Sequence, residues 1–393
     1  MKKFNNTIST IIFSIFLVSF SLISNANPEQ NHIVYIQDGV YKIKTYITGE
    51  ILYSSQDASD AIQWAIDNVT KNGIGAGEVL IEKGKYYLGK PIILKSNIWL
   101  HGKGKETELY TDGQIMQTIT IQDASMTVVS DLSLFNKESS MRSSQGIVVE
   151  RSVNCQVINV LVSGFNQGGI VNHGESTMTL INENTLIDNS TNIRIKDGGG
   201  VIGRWLPLMI SANEIRGGAT GIWCGALVTN ILNNTITDIS TRGIVAATSS
   251  ILLRGNNLSN IRGDYAIYAP LAEFICTNNV IKNIHGSGIR TETRWGVITN
   301  NIVENLGLDN PDAIGIHVYS ATPEEMTHAG PAESKVIFKN RIKNGTQIKK
   351  MKHGILEDGI KNVIYGNTIE GFSDKAILSK GKETLVQNNY IEK

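Results

Sequence analysis

The chain has 393 residues, 41% of them hydrophobic, with 36 basic and 36 acidic side chains. That length can bury a sizeable core. The balanced charge excludes polyanion binding driven by net charge, so affinity for an acidic partner has to come from a local patch. Only 7 prolines against 38 glycines point to many turns rather than to a disordered polypeptide.

Residues 1–26 are a separate object. Lys2 and Lys3 precede an apolar run from Ile11 to Ile23, and Ser24-Asn25-Ala26 supplies the small residues of a cleavage site. This is the pattern of a signal peptide, and the run is short for a bilayer span. It implies a mature protein that begins near Asn27 and works in the periplasm or outside the cell. The three cysteines, Cys155, Cys224 and Cys276, are odd in number and widely spaced, which predicts buried free thiols rather than a disulfide framework or metal cluster.

The segment "QDASDAIQWAIDNVTKNG" predicts an amphipathic helix. Ile62, Ala65, Ile66 and Val69 share one face, Asp57 or Ser59 serves as N-cap, and Gly73 is a stop. Strands and turns follow in "GEVLIEKGKYYLGKPIILKSNIWLHGKG".

From residue 146 onward the sequence repeats. An Ile preceded by Gly, Ala or Asn occurs at 147, 170, 193, 222, 244, 267, 289, 316, 355 and 377, with a commonest spacing of 22–23. A second ladder, an Asn two residues before an apolar one, runs in phase through Asn159, Asn184, Asn213, Asn234, Asn256, Asn278, Asn300, Asn340, Asn367 and Asn389. A fixed period in this range marks a solenoid. Segments such as "ILNNTITDI" and "GVITNNIVENL" are β-branched and broken by Asn, with no helical period. The expected fold is therefore all-β: a parallel β-helix of about ten regular coils, with Ile and Val filling the interior and Asn stacked at one bend. A leucine-rich horseshoe, the other candidate, lacks its spaced leucines.

The amphipathic helix, then "GEVLIEKGKYYLGKPIIL", then "IWLHGKG", resembles the N-terminal section of the pectate-lyase-like right-handed β-helix superfamily. The resemblance covers nearly the whole mature chain. It implies that the helix caps one end of the solenoid and that residues 27–393 are a single domain. Within it, 55–110 hold the cap helix and first strands. The regular coils occupy 146–393, with inserts near 197–207 and 320–334. Activity does not follow from it, since the superfamily contains lyases, hydrolases, epimerases and adhesins.

Alternation along a strand sets which side chains face outward. If the repeat Ile points inward, the residues one and three further on point out, giving Glu150, His173, Arg194/Lys196, Trp223, Tyr268, Arg290/Glu292, His317/Tyr319 and Asp358 among others. This mixture suits an extended acidic polysaccharide. Arg and Lys neutralise uronate carboxylates, and Trp and Tyr offer flat faces to sugar rings. For β-elimination, or for C5-epimerisation that begins with the same proton abstraction, Arg290 is the expected neutraliser, His317 the base, and Tyr319 or Tyr268 the acid. Arg194 and Lys196 with His173 form an alternative centre, and Trp223 is a candidate sugar platform. Glu292 and Asp358 are the outward acids near the His317/Tyr319 group from which a glycoside hydrolase would be built. An outward Arg or Glu on a solenoid can equally be solvated surface, so a non-catalytic glycan-binding protein is the third reading.

Several family motifs are missing. No Asp-Pro-His run like that of mannuronan C5-epimerases follows any Gly-Ile, and no acidic cluster matches that of the pectate lyases. "RIKDG" at 194–198 is similar to the Arg-Ile-Lys element of polygalacturonases, without their paired aspartates or Gly-His-Gly. No motif for an organic cofactor is present. Asp309 and Asp312 have the carboxylates to bind calcium, though a solvated bend is the favoured reading of that segment. Nucleic-acid binding is disfavoured by the neutral charge.

Overall fold

The computed structural model describes residues 31–69, 76–137, 143–173, 175–196, 207–271, 273–292, 295–320, 332–345 and 351–392. The expected signal peptide, the Gly73 stop and most of both inserts lie outside these residues. Contacts divide the chain into two units, 1–190 with 198–209, and 191–197 with 210–393.

The first unit opens with three antiparallel strands, His32–Gln37, Val40–Thr45 and Ile51–Ser55. Helix α1, Ala58–Asn68, follows. Asp57 is its N-cap: Oδ1 accepts from the amides of Ser59 at 2.7 Å and Asp60 at 3.3 Å, satisfying two donors that have no partner within the helix. Ile62, Ala65, Ile66 and Val69 are fully buried, as their spacing requires, against the hairpin and the strands Gly77–Ile81, Gly84–Leu88 and Ile92–Leu94. From there the strands pair in parallel with those one coil on, for example Tyr86 with Leu109 and Ile147 with Ile170.

The second unit is a run of such coils. In its Gly-Ile sheet, Ile193, Ile222, Ile244, Ile267, Ile289, Ile316 and Ile355 are register partners in succession. All are fully buried. In the coils where a glycine precedes the Ile, it is fitted to the neighbouring coil rather than to its own dihedrals; Asn192 and Ala266 take that place in two others. A Cβ on Gly288 would lie 2.4 Å from the carbonyl oxygen of Gly315, and one on Gly315 the same distance from that of Gly354. Cys155, Cys224 and Cys276 are buried thiols; burial pushes the Cys155 and Cys276 thiols up, to about 11 and about 12.

The asparagine ladder is present with a correction. Within the second unit it runs through Asn213, Asn234, Asn256, Asn279, Asn301, Asn340, Asn367 and Asn389. Asn278 and Asn300 are not members. They adopt left-handed φ of 55° and 54°, which Asn tolerates at a bend, and the following Asn turns inward. In the first unit Asn159 is likewise left-handed, with φ 51°, and the amide of Val160 bonds to Asn184 Oδ1 at 3.1 Å.

Asn279 shows what the ladder contributes. Its Oδ1 accepts from Asn256 N and Nδ2, both at 2.9 Å, and its Nδ2 donates to Leu253 O at 3.1 Å. Removing it leaves buried groups on the preceding coil unsatisfied, at about 1–3 kcal/mol each. Asn279→Ala is therefore expected to destabilise by about 2–4 kcal/mol, whereas Asn278→Ala loses only left-handed tolerance, about 1 kcal/mol. Urea midpoints of the two variants check this; equal shifts would show that no ladder bond carries stability.

Candidate active site on the Gly-Ile face

Three neighbouring strands of the second unit, Tyr265–Ala269, Ser287–Thr291 and Ile314–Val318, carry the site. Their register pairs Tyr268 with Arg290 and Arg290 with His317, followed by Leu356. Because each Ile is locked inward, these side chains have only the outer face to occupy.

Arg290 sits at the centre, half-buried. Its Nη1 donates to Tyr265 Oη at 2.8 Å, and its Nε lies 2.7 Å from Glu292 Oε1 as an ion pair. The guanidinium is 4.1 Å from the centre of the Tyr319 ring, 5.3 Å from that of Tyr265 and 5.9 Å from that of Tyr268, within cation–π range of all three. Tyr268 in turn donates to Glu292 Oε1 at 3.2 Å and faces Arg242, 4.6 Å from its ring centre. Burial, then the nearby Glu292 carboxylate, raises the Tyr268 phenol above its ordinary value, so it stays protonated. Burial works against the charge of Arg290, but the bond to Tyr265 together with the neighbouring Glu292 carboxylate and phenols outweighs it, and the guanidinium stays ionised.

His317 is 7% exposed. Its Nε2 stands 3.5 Å from Asp358 Oδ2, and its ring meets the edge of Tyr319, centroids 5.4 Å apart at 76°. His317 Nδ1 is buried with no hydrogen-bond partner among the described residues. The bond from His317, with Lys380 3.7 Å away, holds the Asp358 carboxyl below its ordinary range. One small region thus holds a fixed cation, a ring of phenols and a carboxylate-facing imidazole, the elements needed to hold an acid group and move a proton beside it.

The other candidates are placed apart from this cluster. Arg194 lies over Trp223, 5.7 Å from its ring centre, so that face of Trp223 is already occupied. Lys196 is half-buried in the same unit, and His173 is half-buried in the first unit. The outward positions Val148 and Val171 are fully buried, not open to solvent. Asp309 pairs with His285, and Asp312 with Lys352 at 2.8 Å. No group of three or more His, Cys, Asp or Glu among the described residues is placed to hold a metal ion.

Two members of the cluster escape the alternation rule. Arg242 and Tyr265 lie two residues before the repeat Ile, a parity that points inward in a regular strand. They are instead register partners at the strand's entry, where the bend turns their side chains out. Arg and Tyr at one position of consecutive coils is the signal that finds them.

No family model matches the chain, and no curated protein matches it. Solved structures do. The A-module of the Azotobacter vinelandii mannuronan C-5 epimerase AlgE6 matches with a TM-score of 0.60 and 16% identity, over 86% of this chain and 96% of that one. The A-module of AlgE4 from the same organism matches equally well, at 18% identity. The tailspike protein of E. coli bacteriophage HK620, in complex with a pentasaccharide, has a TM-score of 0.56 and 14% identity, over 88% of this chain and 65% of that one. The fold is a right-handed parallel β-helix. The resemblance read from the N-terminal section holds at the level of fold, and at these identities it extends no further. Parallel strands joined through crossovers take this hand almost without exception, and in the second unit the β-helix presents the Arg290 cluster on a rigid sheet.

Proposed function

We propose that this β-helix acts on a uronate-containing polysaccharide by abstracting the C5 proton, the step shared by β-elimination and C5-epimerisation. The observation that supports it best is the position of Arg290, a permanent cation inside a ring of Tyr265, Tyr268 and Tyr319 and one coil from the His317–Asp358 pair. A carboxylate bound to Arg290 has its charge neutralised as the adjacent carbon loses its proton. His317 takes that proton on Nδ1, the nitrogen that does not face Asp358, and Asp358 stabilises the imidazolium. Tyr268, kept protonated beside Glu292, protonates the leaving oxygen in elimination or the opposite face of the ring in epimerisation. The chemistry of the structural neighbours, an epimerase of mannuronan and a tailspike holding a pentasaccharide, makes a glycan the reasonable ligand class, and the N-terminal 26 residues make export the reasonable location.

Hydrolysis is the weaker reading. It needs one carboxyl kept protonated as the acid, while Asp358 is held low by His317 and Glu292 faces Arg290.

The test is to incubate the mature protein with a panel of uronate polymers in D₂O. Ultraviolet absorbance of the unsaturated product and deuterium at C5 by NMR are followed together. Absorbance identifies elimination; deuterium without absorbance identifies epimerisation. Neither signal with any polymer would sink the proposal and leave a glycan-binding β-helix.

A further inference from the structure

A second surface, in the first unit, has a different chemistry. On the outer row of the strands Gly84–Leu88, Thr107–Thr111 and Ser133–Asn136, the register partners are Tyr87, Tyr110 and Phe135. Their rings stack at centroid distances of 5.5 and 5.1 Å. Lys137 lies over Tyr110 and Tyr87, 4.1 and 4.8 Å from the ring centres. Beside them is a cleft of about 470 Å³ lined by Gln56, Asp57, Tyr87, Tyr110, Asp112 and Lys137.

An outward row in water has no need of aromatics. The strands Glu214–Arg216, Thr235–Thr237 and Arg341–Lys343 of the second unit carry polar residues at their outward positions. Tyr87 is 54% exposed, more than stacking between coils requires. The row is fixed by the sheet and pays no ordering cost when a flat molecule meets it.

The polar groups indicate which molecule. Asp57 uses Oδ1 to cap α1, and these amide bonds with nearby Lys90 outweigh burial and keep its carboxyl below the ordinary range. Its Oδ2 is turned away from the cap, 3.7 Å from Lys90. Asp112 uses Oδ1 for the amide of Gln114 at 3.0 Å. Two carboxylates beside an amide and stacked phenols accept hydrogen bonds from hydroxyls, and the lysines nearby are already held, Lys90 by Asp60 at 2.7 Å and Lys137 on the rings.

We propose that this cleft binds a neutral, hydroxyl-rich sugar, stacked on the exposed ring of Tyr87 at the end of the row and hydrogen-bonded by Asp57, Asp112 and Gln56. The site takes a sugar class that the Arg290 face does not select, and it does not depend on the reaction assigned there.

Isothermal titration of the mature protein with soluble neutral oligosaccharides (glucan, mannan, galactan and xylan fragments), and with a uronate oligomer as control, tests the proposal. At least one neutral oligomer is expected to bind, about tenfold more weakly to Tyr87→Ala and also more weakly to Asp112→Ala. Tyr87→Phe keeps the stacking face and should keep the affinity, which separates loss of the platform from loss of fold. Arg290→Ala should leave this binding unchanged. The proposal is overturned if no neutral oligomer binds, if Tyr87→Ala and Tyr110→Ala both bind as the parent does, or if the uronate oligomer is the ligand that Tyr87→Ala loses.

Discussion

Arg290→Ala is expected to lower turnover of the responsive uronate polymer by about 10²- to 10³-fold, with a smaller change in KM. The cation matters most when the carbon beside the carboxylate loses its proton, because charge then builds on the carboxylate oxygens; in the ground state that charge is weaker. Arg290→Lys keeps the charge and should recover little. A lysine has one compact donor head and cannot bond Tyr265, face Glu292 and lie flat on Tyr319 together. His317→Ala should cost about 10²- to 10⁴-fold, the usual contribution of a positioned base. His317→Gln fills the space but cannot accept the proton, so it should be as slow as Ala. If Arg290 were only a surface ion pair with Glu292, then Glu292→Ala and Arg290→Ala would have equal, small effects on rate and stability. Steady-state kinetics and melting temperatures on the same five variants decide between these outcomes.

The coil repeat is legible because one geometric requirement recurs in every turn. A coil carbonyl 2.4 Å from where a Cβ would be favours Gly in most coils, and the interior selects Ile after it, so fold and register can be read from spacing. The asparagine ladder is harder to read at Asn278-Asn279 and Asn300-Asn301. Two adjacent asparagines serve different needs there, one tolerating a left-handed bend and one bonding the neighbouring coil, and only the parity to Ile281 and Val303 tells them apart. In the cluster, Tyr268, Arg290 and His317 follow from strict alternation. Arg242 and Tyr265 do not, because the bend at the strand entry reverses their direction. The pairing of His317 with Asp358 crosses 41 residues of sequence, including a long insert; the repeat places both on the outer face of successive coils, but their contact is not written in the spacing.

Replacing Lys335 should stabilise the protein. Lys335 opens the strand Lys335–Phe338 and is fully buried. Its register partner is Gly296, whose own partner is Phe274; the missing side chain at Gly296 leaves room for the lysine to lie over the Phe274 ring, 5.7 Å from its centre. Burial, opposed by Glu273, pushes the ammonium down from 10.5 to about 7. In the unfolded chain the group stays protonated up to its ordinary value. Between about pH 7 and 10.5, then, unfolding takes up a proton, and stability rises with pH across that window. Below about 7 the charge is buried and the full penalty applies. A displacement of this size corresponds to about 4–5 kcal/mol as an upper figure. Lys335→Met removes the charge and keeps an unbranched chain to fill the same space. Its advantage over the parent, measured by urea unfolding, is expected to be about 2–4 kcal/mol at pH 6 and to shrink towards zero by pH 10. Taking the difference between the two proteins cancels the tyrosines and thiols that also titrate in the alkaline range. An advantage independent of pH would mean that Met merely packs better there. A loss of stability at every pH would mean that the charged lysine is satisfied where it lies.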